Sequence, residues 1–188
     1  DCILIEDGTY QLMETGMTAI SDYIKNSGIY IASLSKVIAP GLRMAYLSAP
    51  PLYKSAVSDT LYNLNVSIVP LMAELSARIV ASGQFETIIK DHKNNTALRN
   101  SVVDRWLPKE ICRGKETDIF RWLLLPERFT GKAFEDAALS KGVQVYAAER
   151  FTIGKTPPAR AVRLSICAPK DLEQLERGVK TLAELIKP

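Results

Sequence analysis

Three short apolar runs, Cys2-Ile3-Leu4-Ile5, Ile29-Tyr30-Ile31-Ala32 and Met44-Ala45-Tyr46-Leu47, are each halted by polar or turn-forming residues. Runs of this length read as strands, and the first, stopped by Glu6-Asp7-Gly8, reads as a parallel strand buried on both faces. The period then becomes helical over residues 52–63 and again over residues 69–82, where Gly83 ends the pattern. A parallel strand buried on both faces is the kind found in α/β sheets. In open α/β sheets the ligand crevice lies outside the carboxyl ends of the strands, which puts Asp7 and Lys36 where chemistry is usually done.

The second half reads differently. Phe85, Ile88, Ile89, His92 and Thr96 mark one face of a long polar helix running to Trp106, suited to linking two domains, with His92 read as an exposed helical histidine. Beyond Pro108 the pattern is α+β: a strand over residues 119–125, a helix over 132–141 closed by Gly142, and strands over 143–147 and 161–167. A last helix carries Leu172, Leu175, Val179, Leu182 and Ile186 at spacings of three and four. The expected division is residues 1–84 and 85–188. In the strand over 161–167, Val162, Leu164 and Ile166 alternate with Arg163, Ser165 and Cys167, so Arg163 faces away from the apolar set.

Composition excludes several classes. The 188 residues are 47% hydrophobic, and 24 Lys and Arg against 21 Asp and Glu leave a formal charge of +3. That rules out disorder, collagen-like repeats and a small disulfide scaffold. Basic and acidic residues alternate along most segments instead of forming a basic stripe, so any DNA binding must lie outside this chain. Cys2, Cys112 and Cys167 are too far apart for a disulfide framework or a metal site, which points to a reducing cytoplasm. Apolar stretches such as Trp122-Leu123-Leu124-Leu125 fall far short of the roughly 20 residues that span a bilayer. The opening, Asp1 followed directly by an apolar run, reads as a segment of a longer protein.

The motif with most chemical content is Ser33-Leu34-Ser35-Lys36 followed by Pro40-Gly41-Leu42-Arg43, downstream of Asp7-Gly8-Thr9-Tyr10. A lysine amine bonds an aldehyde cofactor when it is held at a fixed place and partly desolvated, with hydroxyls and a guanidinium near enough to receive a phosphate. Together these residues resemble pyridoxal-phosphate enzymes of the aminotransferase fold. The resemblance implies that Lys36 carries the cofactor and is the catalytic lysine. It further implies that Ser33, Ser35 and Arg43 hold the phosphate, Arg43 through its planar fork. Asp7 would pair with the pyridine nitrogen and Tyr10 with the ring's phenolic oxygen. Two rival motifs fail. A penicillin-binding S-x-x-K reading needs S-D-N and K-T-G, but Ser21-Asp22-Tyr23 and Lys155-Thr156-Pro157 miss the third residue. Gly154-Lys155-Thr156 lacks the first glycine of a nucleotide loop, since Glu149 stands there.

Downstream, Phe120-Arg121-Trp122-Leu123-Leu124-Leu125-Pro126, Gly142-Val143-Gln144-Val145 and Ala161-Val162-Arg163-Leu164-Ser165-Ile166 resemble the MocR branch of GntR-type transcription regulators. There a winged helix-turn-helix domain is fused to an aminotransferase-like (fold type I) domain. The implied chain is the C-terminal half of that domain, part of the large three-layer α/β/α domain plus the small α+β domain. The implied partners are an amino acid effector or substrate, a second subunit in a homodimer, and DNA through a domain absent here, with no membrane. Arg163 would grip the effector carboxylate, with Arg160 the weaker rival. Departures are Ala45 and Ala32, where many relatives have glycine. The glycine-containing phosphate turn, the stacking aromatic and the asparagine near the phenolic oxygen would all lie upstream, so this segment alone is expected to bind cofactor weakly. A working aminotransferase acting on an amino acid is the alternative, since both readings keep the same residues.

Overall fold

The computed structural model describes residues 2–14 and 17–187. The chain divides into two compact units, residues 1–92 and 93–188, and the division falls inside the long helix Gln84–Trp106.

In the first unit, β1 (Leu4–Asp7), β2 (Gly28–Ser33) and β3 (Ala45–Ser48) form one sheet in that order. β1 runs parallel to β2, with Asp7 opposite Ile31, and β3 runs antiparallel to β2, with Ala45 opposite Ser33. The connection from β1 to β2 contains 3₁₀ turns at Gln11–Met13 and Ile20–Asp22. It is tied back to the strand by the Ser21 amide, which donates to Glu6 Oε2 at 2.9 Å. β1 is parallel as expected, but it begins two residues later, and the face carrying Ile5, which is 66% exposed, is not covered by the described residues. α1 (Lys54–Asn65) and α2 (Pro70–Ala81) follow, and Gly83 at φ +73° ends the second by taking the left-handed conformation that glycine adopts without strain. A small core of Leu34, Leu42 and Met44 is flanked by Ile38, Ala39, Met72, Ala73 and Phe85.

α3 (Gln84–Trp106) is the long polar helix, in which His92 is half-buried, not exposed. The second unit has an antiparallel sheet, β4 (Cys112–Arg113), β5 (Phe120–Leu124), β7 (Ala161–Ser165) and β6 (Tyr146–Ala147) in that order. Its core joins Val102, Val103 and Leu107 to Leu123, Phe134, Val162, Leu164, Leu175, Val179 and Leu182. Side-chain caps start both remaining helices. In α4 (Gly131–Ser140) the Thr130 hydroxyl accepts from the Ala133 amide at 3.1 Å, and in α5 (Leu172–Ile186) the Asp171 carboxylate accepts from the Gln174 amide at 2.8 Å. Val143 and Val145 lie outside the strand expected for them, although Val145 is fully in the core.

Candidate functional site: a strand-end cluster and an arginine among aromatic rings

Asp7 closes β1, and the chain turns at once. The Thr9 hydroxyl and amide donate to Asp7 Oδ1 at 2.5 and 3.0 Å. These bonds, the hydroxyl's first, hold the Asp7 carboxyl below its ordinary value despite some desolvation. Gly8 is buried, and a Cβ there would meet the outer end of the Tyr30 side chain, so a larger residue at that point requires the ring to shift. Tyr10 opens the next 3₁₀ turn and is 48% exposed.

β2 ends at Ser33, whose hydroxyl accepts from the Ser35 amide at 3.3 Å. Leu34 and Val37 are buried, and the amides of Val37 and Ile38 both bond the Leu34 carbonyl, so Lys36 sits on a turn pinned by apolar residues on either side. The Leu34 amide bonds the Met44 carbonyl at 3.1 Å, which extends the ladder beyond Ser33 and Ala45 and sets Arg43 beside this turn. Arg43 has φ +51°, a left-handed backbone for a residue with a full side chain. Such a conformation costs roughly 1 to 2 kcal/mol and persists only where its surroundings enforce it, commonly at ligand clamps. Here the preceding Pro40–Leu42 turn and the buried Met44 enforce it.

Asp7, Tyr10, Ser33, Ser35, Lys36 and Arg43 thus gather at one end of the first unit's sheet. A carboxylate, a phenol, two hydroxyls, an amine and a guanidinium form a donor set suited to a small polar ring bearing a phosphate. Among the described residues, no group of three or more His, Cys, Asp and Glu could hold a metal ion.

Arg163 belongs to the second unit. As its alternation predicts, Val162 and Leu164 on either side are buried in the core, while Arg163 is on the other face. Its guanidinium lies 4.3 Å from the Phe120 ring centroid, 4.5 Å from that of Phe151 and 5.5 Å from that of Tyr146. The Nε is buried with no protein partner. Arg160, the rival, lies 3.7 Å from Glu127 with its side chain 57% exposed.

Sequence reasoning missed the buried polar cluster behind this face. Arg121 donates to Asp104 Oδ1 at 2.6 Å, Asn100 Oδ1 at 3.0 Å and the Cys112 carbonyl at 2.7 Å. Asn100 in turn donates to the carbonyls of Thr96, Glu116 and Asp118. Glu135 is the other omission: it accepts from Arg150 and from the Ala147 amide. A clue lay in the strand pattern, where Arg121 occupies the position that alternation assigns to the core beside Leu123.

The chain is 50% identical over 184 residues to the uncharacterised HTH-type transcriptional regulator YdeF of Bacillus subtilis (strain 168), a match covering 97% of this chain and 40% of that protein. Among solved structures, an archaeal alanine:glyoxylate aminotransferase superposes with a TM-score of 0.82 at 21% identity, covering 98% of this chain and 47% of the other. LysN, an α-aminoadipate aminotransferase from Thermus thermophilus complexed with N-(5'-phosphopyridoxyl)-L-leucine, superposes at 0.78 and 21%, covering 98% and 50%. The chain therefore spans half or less of the length of these proteins. The structural likeness establishes a fold type I aminotransferase architecture for this α/β chain. The class I and II aminotransferase profile matches residues 1–182, and the chain belongs to that family.

Proposed function

We propose that this chain is the C-terminal half of the pyridoxal-phosphate-binding effector domain of a GntR/MocR-type transcription regulator, with an amino acid as effector. The observation that carries the cofactor assignment is the strand-end cluster itself. Its phosphate-binding candidate Arg43 is held in a strained backbone beside Ser33, Ser35 and Lys36, while Asp7 is kept ionised by Thr9. The residues fit the group. Pyridoxal phosphate, when bound, supplies an aldehyde and an electron-withdrawing ring. Lys36 offers the amine that takes the aldehyde, Ser33, Ser35 and Arg43 hold the phosphate, and Tyr10 donates to the phenolic oxygen. Asp7, as an anion, keeps a proton on the pyridine nitrogen. Arg163 receives the effector carboxylate, its buried Nε having no protein partner to compete. The 1–84 and 85–188 halves correspond to the large and small domains of the fold. DNA contact comes through a winged helix outside this chain, in a cytoplasmic homodimer. No helix among the described residues is long and apolar enough to cross a membrane.

The regulator reading rests on the 50% identity to an HTH-type regulator, against 21% to the solved aminotransferases. It is tested in the full-length parent protein with bound cofactor, supplied with the standard amino acids and a 2-oxo acid acceptor. The expected result is an amino-acid-dependent change in promoter binding without sustained turnover. Sustained transamination without any effect on DNA binding would reverse the assignment in favour of a working aminotransferase.

A further inference from the structure

Two of the three rings around Arg163 come from one short corner of the second unit. Tyr146 belongs to the two-residue edge strand β6, directly opposite Arg163 in register, and Phe151 closes the 3₁₀ turn Ala148–Phe151 that follows. A six-residue corner with one two-residue ladder has few backbone bonds to fix it, so its placement must come from side chains.

α4 supplies them. Glu135, 6% exposed on that helix, accepts the Ala147 amide at 2.7 Å and takes Arg150 in a two-pronged contact, Nε at 3.1 Å and Nη2 at 2.6 Å. Glu149 adds a second tether, its Oε1 accepting the Lys132 amide at 3.1 Å in the first turn of α4. Arg150 also lies over the Tyr146 ring at 5.7 Å, which leaves that ring in contact with two guanidinium groups. Glu135 therefore binds a residue immediately after Tyr146 and the residue immediately before Phe151.

We propose that Glu135 is the positioning residue of the Arg163 clamp: it anchors the corner at residues 146–151 so that Tyr146 and Phe151 stay on the guanidinium and fix the direction of its N–H groups. The proposal rests on the reading of Arg163 as a carboxylate clamp. An arginine stem has many rotamers, and a clamp is effective only when the fork is already aimed; rings on the guanidinium achieve this without using its donors. Glu135 itself touches neither ligand nor Arg163.

The test uses phenylglyoxal, which modifies guanidinium groups, on the full-length protein, with the rate at each arginine followed by mass mapping. Arg160, exposed on the same unit, is the internal reference. Glu135→Gln is expected to speed modification of Arg163 relative to Arg160 by roughly three- to tenfold, the factor corresponding to loss of one or two ring contacts. Glu135→Asp should recover part of the protection. Trp122, whose ring meets Phe151 edge-on at 6.1 Å, should report the same displacement as an emission change that is lost in a Trp122→Phe background. Arg150→Gln changes an exposed side chain and carries the test should Glu135→Gln not fold; the same acceleration is expected. Unchanged Arg163 reactivity and unchanged Trp122 emission in a folded variant would overturn the proposal. Failure of the clamp reading registers separately, as no protection of wild-type Arg163 by a mixture of the standard amino acids other than arginine, and it leaves the Glu135 comparison intact.

Discussion

Arg121 Nη2 lies 2.6 Å from Asp104 Oδ1, with the arginine side chain 1% exposed. A guanidinium so far from water needs a counter-charge, and the second unit places it there with α3 and β5. Removing one member of such a pair leaves an uncompensated buried charge. Asp104→Ala should destabilise the protein by about 3 kcal/mol in denaturant unfolding, whereas Lys109→Ala, which removes an exposed partner of the same carboxylate, should cost well under about 1 kcal/mol.

Acid should act through Glu135. The contact with Arg150, and then the bond from Ala147, hold its carboxyl at about 2, below the ordinary 4.5. A depressed pKa contributes stability above the unfolded value, which is lost as pH falls through the folded one. The melting temperature should be flat from about pH 7 to 5 with respect to this group and fall between about 4.5 and 2, with Glu176, lowered by Trp106, contributing in the same sense. Glu135→Gln should flatten the acid limb; an unaltered limb would count against the pairing.

Asp7 should respond to a change that touches neither its charge nor its position. Thr9→Val removes the stronger of the two bonds to its carboxylate and keeps the amide bond. The carboxyl pKa should rise toward its ordinary value in a ¹³C titration, because the hydroxyl is the first cause of its depression.

Arg163→Ala should cost about 1.5 to 3 kcal/mol of amino acid affinity, roughly 10- to 150-fold, as expected for a charge-assisted two-pronged contact. Cofactor binding should survive. Measured by titration in the full-length protein, unchanged amino acid affinity would return Arg163 to a purely structural role among its rings.

What the sequence made legible was local. Asp7 to Tyr10 and Ser33 to Arg43 each lie within a dozen residues, so strand ends and turns alone carry their grouping, and the face of Arg163 followed from a period of two. The left-handed backbone at Arg43 was not legible, since it is set jointly by the Pro40–Leu42 turn and by Met44, which Leu34 holds across the ladder. Nor was the Arg121 cluster, assembled from α3, β4 and β5 across 9 to 21 residues of sequence. β4 is two residues long and shows no period at all. The expectation of two buried faces for β1 required a layer on each side of the sheet, and among the described residues nothing closes over the face that carries Ile5 and Asp7.

The assignment of Lys36 as the lysine that carries pyridoxal phosphate is open to direct chemical trapping. Borohydride reduction of the full-length protein with its cofactor, followed by proteolysis and mass mapping, fixes the pyridoxyl group to whichever lysine holds it. The label is expected on Lys36. A label on Lys54 or Lys155, with Lys36 unmodified, would contradict it.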